Sequence, residues 1–213
     1  MGVGKVAVEG VTFDPDAAAR TGGTLTRGRS ESPRVRLSPK NISKLDGDSR
    51  MIIDMQQPRP YDIVGNQIQI AGMAGGAFEA NFNYRITEGH DELTGNFMAG
   101  DGGGGHGQFQ LTVDVSGAGF MLNRIFIQVF HASAKDGAEL DSVFVPVVLG
   151  PKVVPGYTGY VEHTVVGGET LWGIAARYYG SGTFYYRIVA ANPAIIINPN
   201  VIHPGEVIKV PRA

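Results

Sequence analysis

Cysteine is absent from the 213 residues of this chain. Disulfide scaffolds, thiolate zinc sites and cysteine nucleophiles are therefore excluded. Long apolar runs are missing too, since no stretch reaches the ~18 apolar residues of a membrane-spanning helix. The opening residues MGVGKVAVEGVTFDPDAAAR show no apolar run of secretory length before their acids, and Val6 stands where a myristoylation signal needs Ser or Thr. The expectation is cytoplasmic synthesis without a Sec signal, and no membrane span. Tryptophan occurs once. Glycine is the excess at 31 residues, roughly twice the ~7% average, and its lack of a triplet period favours turn-rich β structure over collagen.

Charge divides the chain. Residues 1–50 carry nine basic and six acidic side chains, residues 51–157 five and eleven, and the remainder four and three. The stretch TGGTLTRGRSESPRVRLSPKNISK mixes small, basic and proline residues without an amphipathic period, so residues 1–50 read as an extended polar arm. Within it GKVAVEGVTF alternates briefly and suits edge-strand addition to a neighbouring sheet. A dense Lys/Arg run with interleaved aromatics is lacking, and no nucleic-acid partner is expected.

From residue 51 the period becomes two. Ile68 and Ile70 alternate with polar neighbours, as do Phe78, Ala80, Phe82, Tyr84 and Ile86, then Phe109, Leu111, Val113 and Val115, then Ile125, Ile127 and Val129, with VFVPVVL last. Turn clusters separate these segments at Gly75-Gly76, at residues 88–91, at the Gly-rich residues 101–107 and at Lys135-Asp136-Gly137. Six or seven such strands over residues 51–149 predict an antiparallel β-sandwich. Residues 150–159, with PKVVPGYTG, read as a short stiff linker.

The C-terminal part, residues 160–213, changes character again. An alternating strand over residues 160–166 meets Gly167-Gly168. Thr170 is placed to cap a helix carrying Leu171, Ile174, Ala175 and Tyr178 on one face, and Gly180 stops it. Thr183 is placed to cap a second helix, FYYRIVAAN, that Pro193 ends, and GEVIKVP supplies a returning strand. The order is β, α, α, β.

Motifs of catalysis are missing. There is no G-x-S-x-G elbow and no H-E-x-x-H, and the Gly-rich tip lacks the Lys-Ser/Thr ending of a phosphate loop. His90, Asp91, Glu92, Asp101 and His106 match no metal-ligand spacing and read as solvated loop residues. Glu169 and Glu206 sit in one small unit, where a shallow groove would leave their pKa values ordinary. Trp172 reads as packing, and so does most of the aromatic cluster Tyr178, Tyr179, Phe184, Tyr185 and Tyr186. No enzyme, cofactor or metal site is expected.

Two resemblances add to this reading. Pro58-Arg59-Pro60, IQIAGMA, FEANFNYRI, GQFQLTVDV, FIQVFHAS and VFVPVVL resemble the immunoglobulin-like domain that accompanies bacterial spore-germination modules, which implies an accessory domain without a known active site. GGETLWGIA, the pair Ala191-Asn192 and HPGEVIKVP resemble a LysM domain over about residues 160–211. That resemblance implies binding of N-acetylglucosamine glycans, such as peptidoglycan or a chitin-like polymer. The groove it implies holds Gly167, Gly168, Glu169, Thr170 and Leu171 facing Ile197, Asn198, Pro199 and Ile202. AIIINPN is notably apolar, and Ile195 and Ile196 offer an alternative protein-docking patch. RYYGSGTFYYRIVAANP resembles the LysM variants of phage-tail-like contractile particles. From that resemblance the leading expectation is a non-enzymatic baseplate component that docks tube or hub subunits of a large assembly. The alternative is a peptidoglycan-binding accessory protein of the cell wall.

Overall fold

A computed structural model describes residues 52–100 and 105–213. The arm expected over residues 1–50, its edge-strand motif and Asp101 lie outside the described residues.

Eight strands form where six or seven were expected: β1 (Ile52–Gln57), β2 (Ile63–Val64), β3 (Gln67–Gly75), β4 (Asn81–Thr87), β5 (Glu92–Met98), β6 (His106–Asp114), β7 (Arg124–Ala132) and β8 (Glu139–Leu149), of which β3, β4, β6, β7 and β8 follow the period-two segments. They form a three-stranded sheet in the order β1-β3-β6 and a five-stranded sheet in the order β2-β8-β7-β4-β5. In β3 the alternation is plain, with Ile68 and Ile70 fully buried between exposed Gln67 and Gln69. Ile68, Ile70, Phe109 and Val113 of the first sheet share one core with Phe82, Ile86, Ile125, Ile127, Val129, Val145 and Val147 of the second. Burial of these side chains, at roughly 1.5–3 kcal/mol each, is the main force holding the two sheets together.

Two expectations are corrected here. The segment expected to run as strand from Phe78 opens as a 3-10 turn, Phe78–Ala80, in which Glu79 and Ala80 have φ of 57° and 55°. Ala80 is thus buried by a turn, and the strand begins at Asn81. The pairing is also not wholly antiparallel, because β2 runs parallel to β8, with Ile63 opposite Val148. Pro146, which has no N–H to give to the ladder, still accepts from Tyr61 N–H through its carbonyl.

Acidic side chains of this unit organise its loops. The buried Glu88 accepts from the N–H groups of Met121 and Leu122, and those contacts hold its carboxyl below the usual range. Asp91 accepts from Gly119 N–H, and Glu92 pairs with Arg85.

Residues 150–159 do more than space two units apart. Gly150–Val153 form a helical turn, α1, and Val153 and Val154 are buried with Ile63, Val148 and Ala191. Tyr157 packs its ring against Gly150, and burial pushes its hydroxyl up to about 12. The C-terminal unit follows as β9 (Gly159–Thr164), α2 (Leu171–Tyr179), a 3-10 turn (Gly182–Phe184), α3 (Tyr185–Ala191) and β10 (Val207–Arg212), with β9 and β10 antiparallel. Its core is Val165, Leu171, Ile174, Ala175, Ile188, Ile196, Ile208 and Val210. Lys209 Nζ reaches Asp62 at 3.2 Å and adds a polar contact to the apolar one made by Ala191.

Candidate functional site

Local chemistry explains the entrance to α2. Thr170 Oγ1 accepts from Gly173 N–H at 3.1 Å, and Gly180 ends the helix at φ 76°. The cap expected at Thr183 lies instead at Ser181, whose hydroxyl accepts from Thr183 N–H at the start of the 3-10 turn. Between β9 and α2, Glu169 N–H donates to Val166 O, closing a four-residue turn whose third member, Gly168, has φ 88°. A side chain there would be strained, which explains the glycine.

Glu169 ties this turn down. Its Oε2 accepts from Val166 N–H at 2.9 Å and from His163 Nε2 at 2.8 Å, while His163 Nδ1 pairs with the Tyr178 hydroxyl at 3.2 Å. The Val166 N–H first, and His163 second, hold the Glu169 carboxyl below the usual carboxylate range, not at the ordinary value expected from an open groove. A carboxyl depressed in the folded state stabilises the fold above its unfolded value of 4.5 and loses that contribution as pH falls through the folded pKa. Glu169→Gln is accordingly expected to flatten the acid limb of thermal stability below about pH 4.5, read by the fluorescence of the single tryptophan. An unchanged acid limb would remove Glu169 from this role.

Opposite this turn, the segment before β10 is shaped by its own backbone. Asn198 accepts from Asn200 N–H through its side chain and from Val201 N–H through its carbonyl, and Glu206 accepts from His203 N–H. Between the two segments lies an open groove of about 550 Å³ bordered by Glu169, Thr170, Trp172, Tyr185, Val201 and His203. Residues 163–211 match the family model of the LysM domain. The C-terminal unit is a LysM domain. Residues 52–138 match the model of the immunoglobulin-like domain of bacterial spore germination.

Among known proteins, the potassium binding protein Kbp of Escherichia coli is 37% identical over 50 residues, 24% of this chain and 34% of that protein. An esterase of Mycobacterium tuberculosis is 41% identical over 58 residues, 27% of this chain and 12% of the esterase. The chain thus spans about a third of the first relative and about an eighth of the second. No solved structure shows a significant match.

Of the residues expected in the LysM groove, Glu169, Thr170, Leu171, Pro199 and Ile202 line it. Gly167, Gly168, Ile197 and Asn198 are not on its wall, and Asn198 is occupied in shaping the turn. The docking patch is divided. Ile195 is 42% exposed, but Ile196 is 5% exposed and belongs to the core, while Ile197, at 82%, is the outward residue.

Trp172, expected to serve packing, is 56% exposed and stands on the groove wall. Its indole rests on Gly182, where any Cβ would overlap the ring, and Tyr185 lies beside it with ring centroids 6.5 Å apart. Sequence reasoning missed Tyr185, Asn200, Val201 and His203, which also line the groove. The available signal was the pairing of a lone tryptophan, two residues past the cap of α2, with a side-chain-free glycine before α3. Among the described residues no three His, Asp or Glu side chains gather as a metal site, and His90, Asp91, Glu92 and His106 do not converge on one.

Proposed function

We propose that this chain is a non-enzymatic glycan-binding protein whose LysM groove holds an N-acetylglucosamine-containing polymer of the peptidoglycan type. The observation that carries this reading is the exposed Trp172, with Tyr185 beside it and Val201 on the same groove, bordered by Asn200 and His203. Sugar rings present apolar faces to aromatic side chains and polar edges to amide and imidazole groups, the combination expected of a shallow carbohydrate site. Glu169 is engaged by Val166 N–H and His163, which hold its carboxyl below the usual range, away from the raised value a general acid needs, and Glu206 accepts from His203 N–H. The immunoglobulin-like domain, read as a sandwich with one short parallel strand, serves as an accessory spacer.

The test is titration of the full chain with N-acetylglucosamine oligomers and pelleting with purified sacculi. Binding should saturate and quench or shift Trp172 emission, and Trp172→Ala should weaken it about tenfold or more without unfolding the chain. Wild-type affinity in Trp172→Ala would overturn the groove assignment.

A second reading is a docking subunit of a phage-tail-like particle, for example at its baseplate. The exposed apolar side chains Val166, Ile195 and Ile197 favour it. Absence of sacculus binding, with the native protein eluting in a particle of megadalton size, would select this reading.

A further inference from the structure

Apart from the groove, the C-terminal region carries a second cleft of about 440 Å³, walled by Arg177, Tyr178, Tyr179, Arg187, Arg212, Ala213 and the buried Val154. Three arginines line it from three elements: Arg177 from α2, Arg187 from α3 and Arg212 from the end of β10. None of the lining residues has an acidic side chain, and none of the three arginines forms an ion pair among the described residues, although Arg177 feels the more distant Glu169. Like charges gathered on one wall repel one another, so such an arrangement favours an anion.

Two further observations point to a ligand. The Tyr179 hydroxyl and Arg187 Nε are covered, yet neither has a hydrogen-bond partner among the described residues. Both are donors, and burial pushes the Tyr179 hydroxyl up to about 12, against the opposing pull of Arg187, so it keeps its proton at neutral pH. Tyr178 spends its own hydroxyl on His163, which leaves Tyr179 as the free phenol. Arg187 is also preorganised, because its guanidinium lies 4.2 Å from the centroid of the Phe184 ring.

We propose that this cleft binds a phosphate group, either as inorganic phosphate or as a phosphate monoester. One carboxylate offers two oxygens and is satisfied by a single guanidinium fork. A phosphate offers at least three oxygens and up to two negative charges, which matches three forks and a phenol. The cleft is larger than a bare tetrahedral anion requires, and the Tyr178 and Tyr179 rings on its wall suit an apolar substituent on an ester.

The experiment is titration of the full chain with inorganic phosphate, phenyl phosphate and acetate at low ionic strength, followed by calorimetry or amide chemical shifts. Saturable binding of inorganic phosphate or phenyl phosphate is expected, and the tighter of the two identifies free anion or ester as the source. Arg177→Gln and Arg212→Gln, both at exposed positions, should each weaken binding about tenfold. Arg187→Gln is measured beside them with its melting temperature, and if it fails to fold the two exposed variants carry the result. Four results would overturn the proposal: no saturation by either phosphate probe, acetate binding as tight as phosphate, unchanged affinity in Arg177→Gln and Arg212→Gln, or loss of binding when the chain is lengthened past Ala213. Groove binding of glycan is read separately through Trp172, so failure of one site is distinguishable from failure of the other.

Discussion

Ile196→Asp is expected to unfold the LysM domain, whereas Ile197→Asp, one residue on, should leave it folded. Ile196 is 5% exposed among Val165, Leu171, Ile174, Ile188 and Ile208, and its N–H donates to Asn192 O at 2.9 Å. Replacement removes a buried aliphatic side chain and inserts a carboxylate among apolar neighbours, a combination costing about 4–5 kcal/mol or more. The matched LysM segment, residues 163–211, is small, and stability of about 0.05–0.15 kcal/mol per residue leaves little reserve against such a loss. Ile197 is 82% exposed, so its substitution should move stability by no more than about 0.5 kcal/mol. Denaturant titration followed through Trp172 reads the LysM domain alone, because the chain has one tryptophan. A folded Ile196→Asp would contradict its place in the core. Ile197→Asp, folded but excluded from a high-mass particle, would instead favour the docking reading.

The second large effect is expected at Asn192. This side chain is 3% exposed and makes three contacts of 2.7 Å: its Nδ2 donates to Ile188 O and Lys209 O, and its Oδ1 accepts from Lys209 N–H. It thereby gives the outer backbone of β10 the partners that a further strand would otherwise supply, and fastens that strand to the end of α3. Asn192→Ala leaves the Lys209 N–H and C=O unmet in a part-buried place, at about 1–3 kcal/mol for each unsatisfied group. A loss of about 3 kcal/mol is therefore expected, with Trp172 emission reporting an earlier transition. Loss of less than about 1 kcal/mol would show that water replaces the amide without cost, and the clasp would then be ornamental to stability. Because Ala191 beside it packs with Ile63 and Val148, the same substitution should also loosen the contact with the immunoglobulin-like domain.

Much of this architecture was legible in the sequence because its causes are local. Alternation at Ile68 and Ile70 follows from the pleat of a strand, whose successive side chains point to opposite faces. The start of α2 is written in Thr170 and its end in Gly180, since a cap hydroxyl and a left-handed stop act on the nearest few residues. The returning strand GEVIKVP and the βααβ order required no more than periodicity and breakers. Five of the groove residues, Glu169, Thr170, Leu171, Pro199 and Ile202, were implied by the LysM resemblance; they lie in the loop before α2, at its first residue and in the loop before β10.

What escaped depends on residues that meet only in three dimensions. In AIIINPN three successive isoleucines have no period, so no pattern could separate buried Ile196 from exposed Ile195 and Ile197; the direction is set by Asn192 O, which accepts the N–H groups of Ile195 and Ile196 and turns the chain over the core. Trp172 has the composition of a core residue, and its exposure is decided by Gly182, whose missing side chain gives the indole a seat at the surface. Arg177, Arg187 and Arg212 are scattered single charges along the chain, and only the packing of α2, α3 and β10 gathers them on one cleft. The sequence by itself determined the alternating strands and the βααβ order, because propensity, capping and alternation are short-range, while the two domain types and the loops that flank the groove came from resemblance. Tertiary structure alone decided which side chains face the groove, which isoleucine is core and where the arginines converge, because burial and charge proximity are properties of elements brought together across the fold.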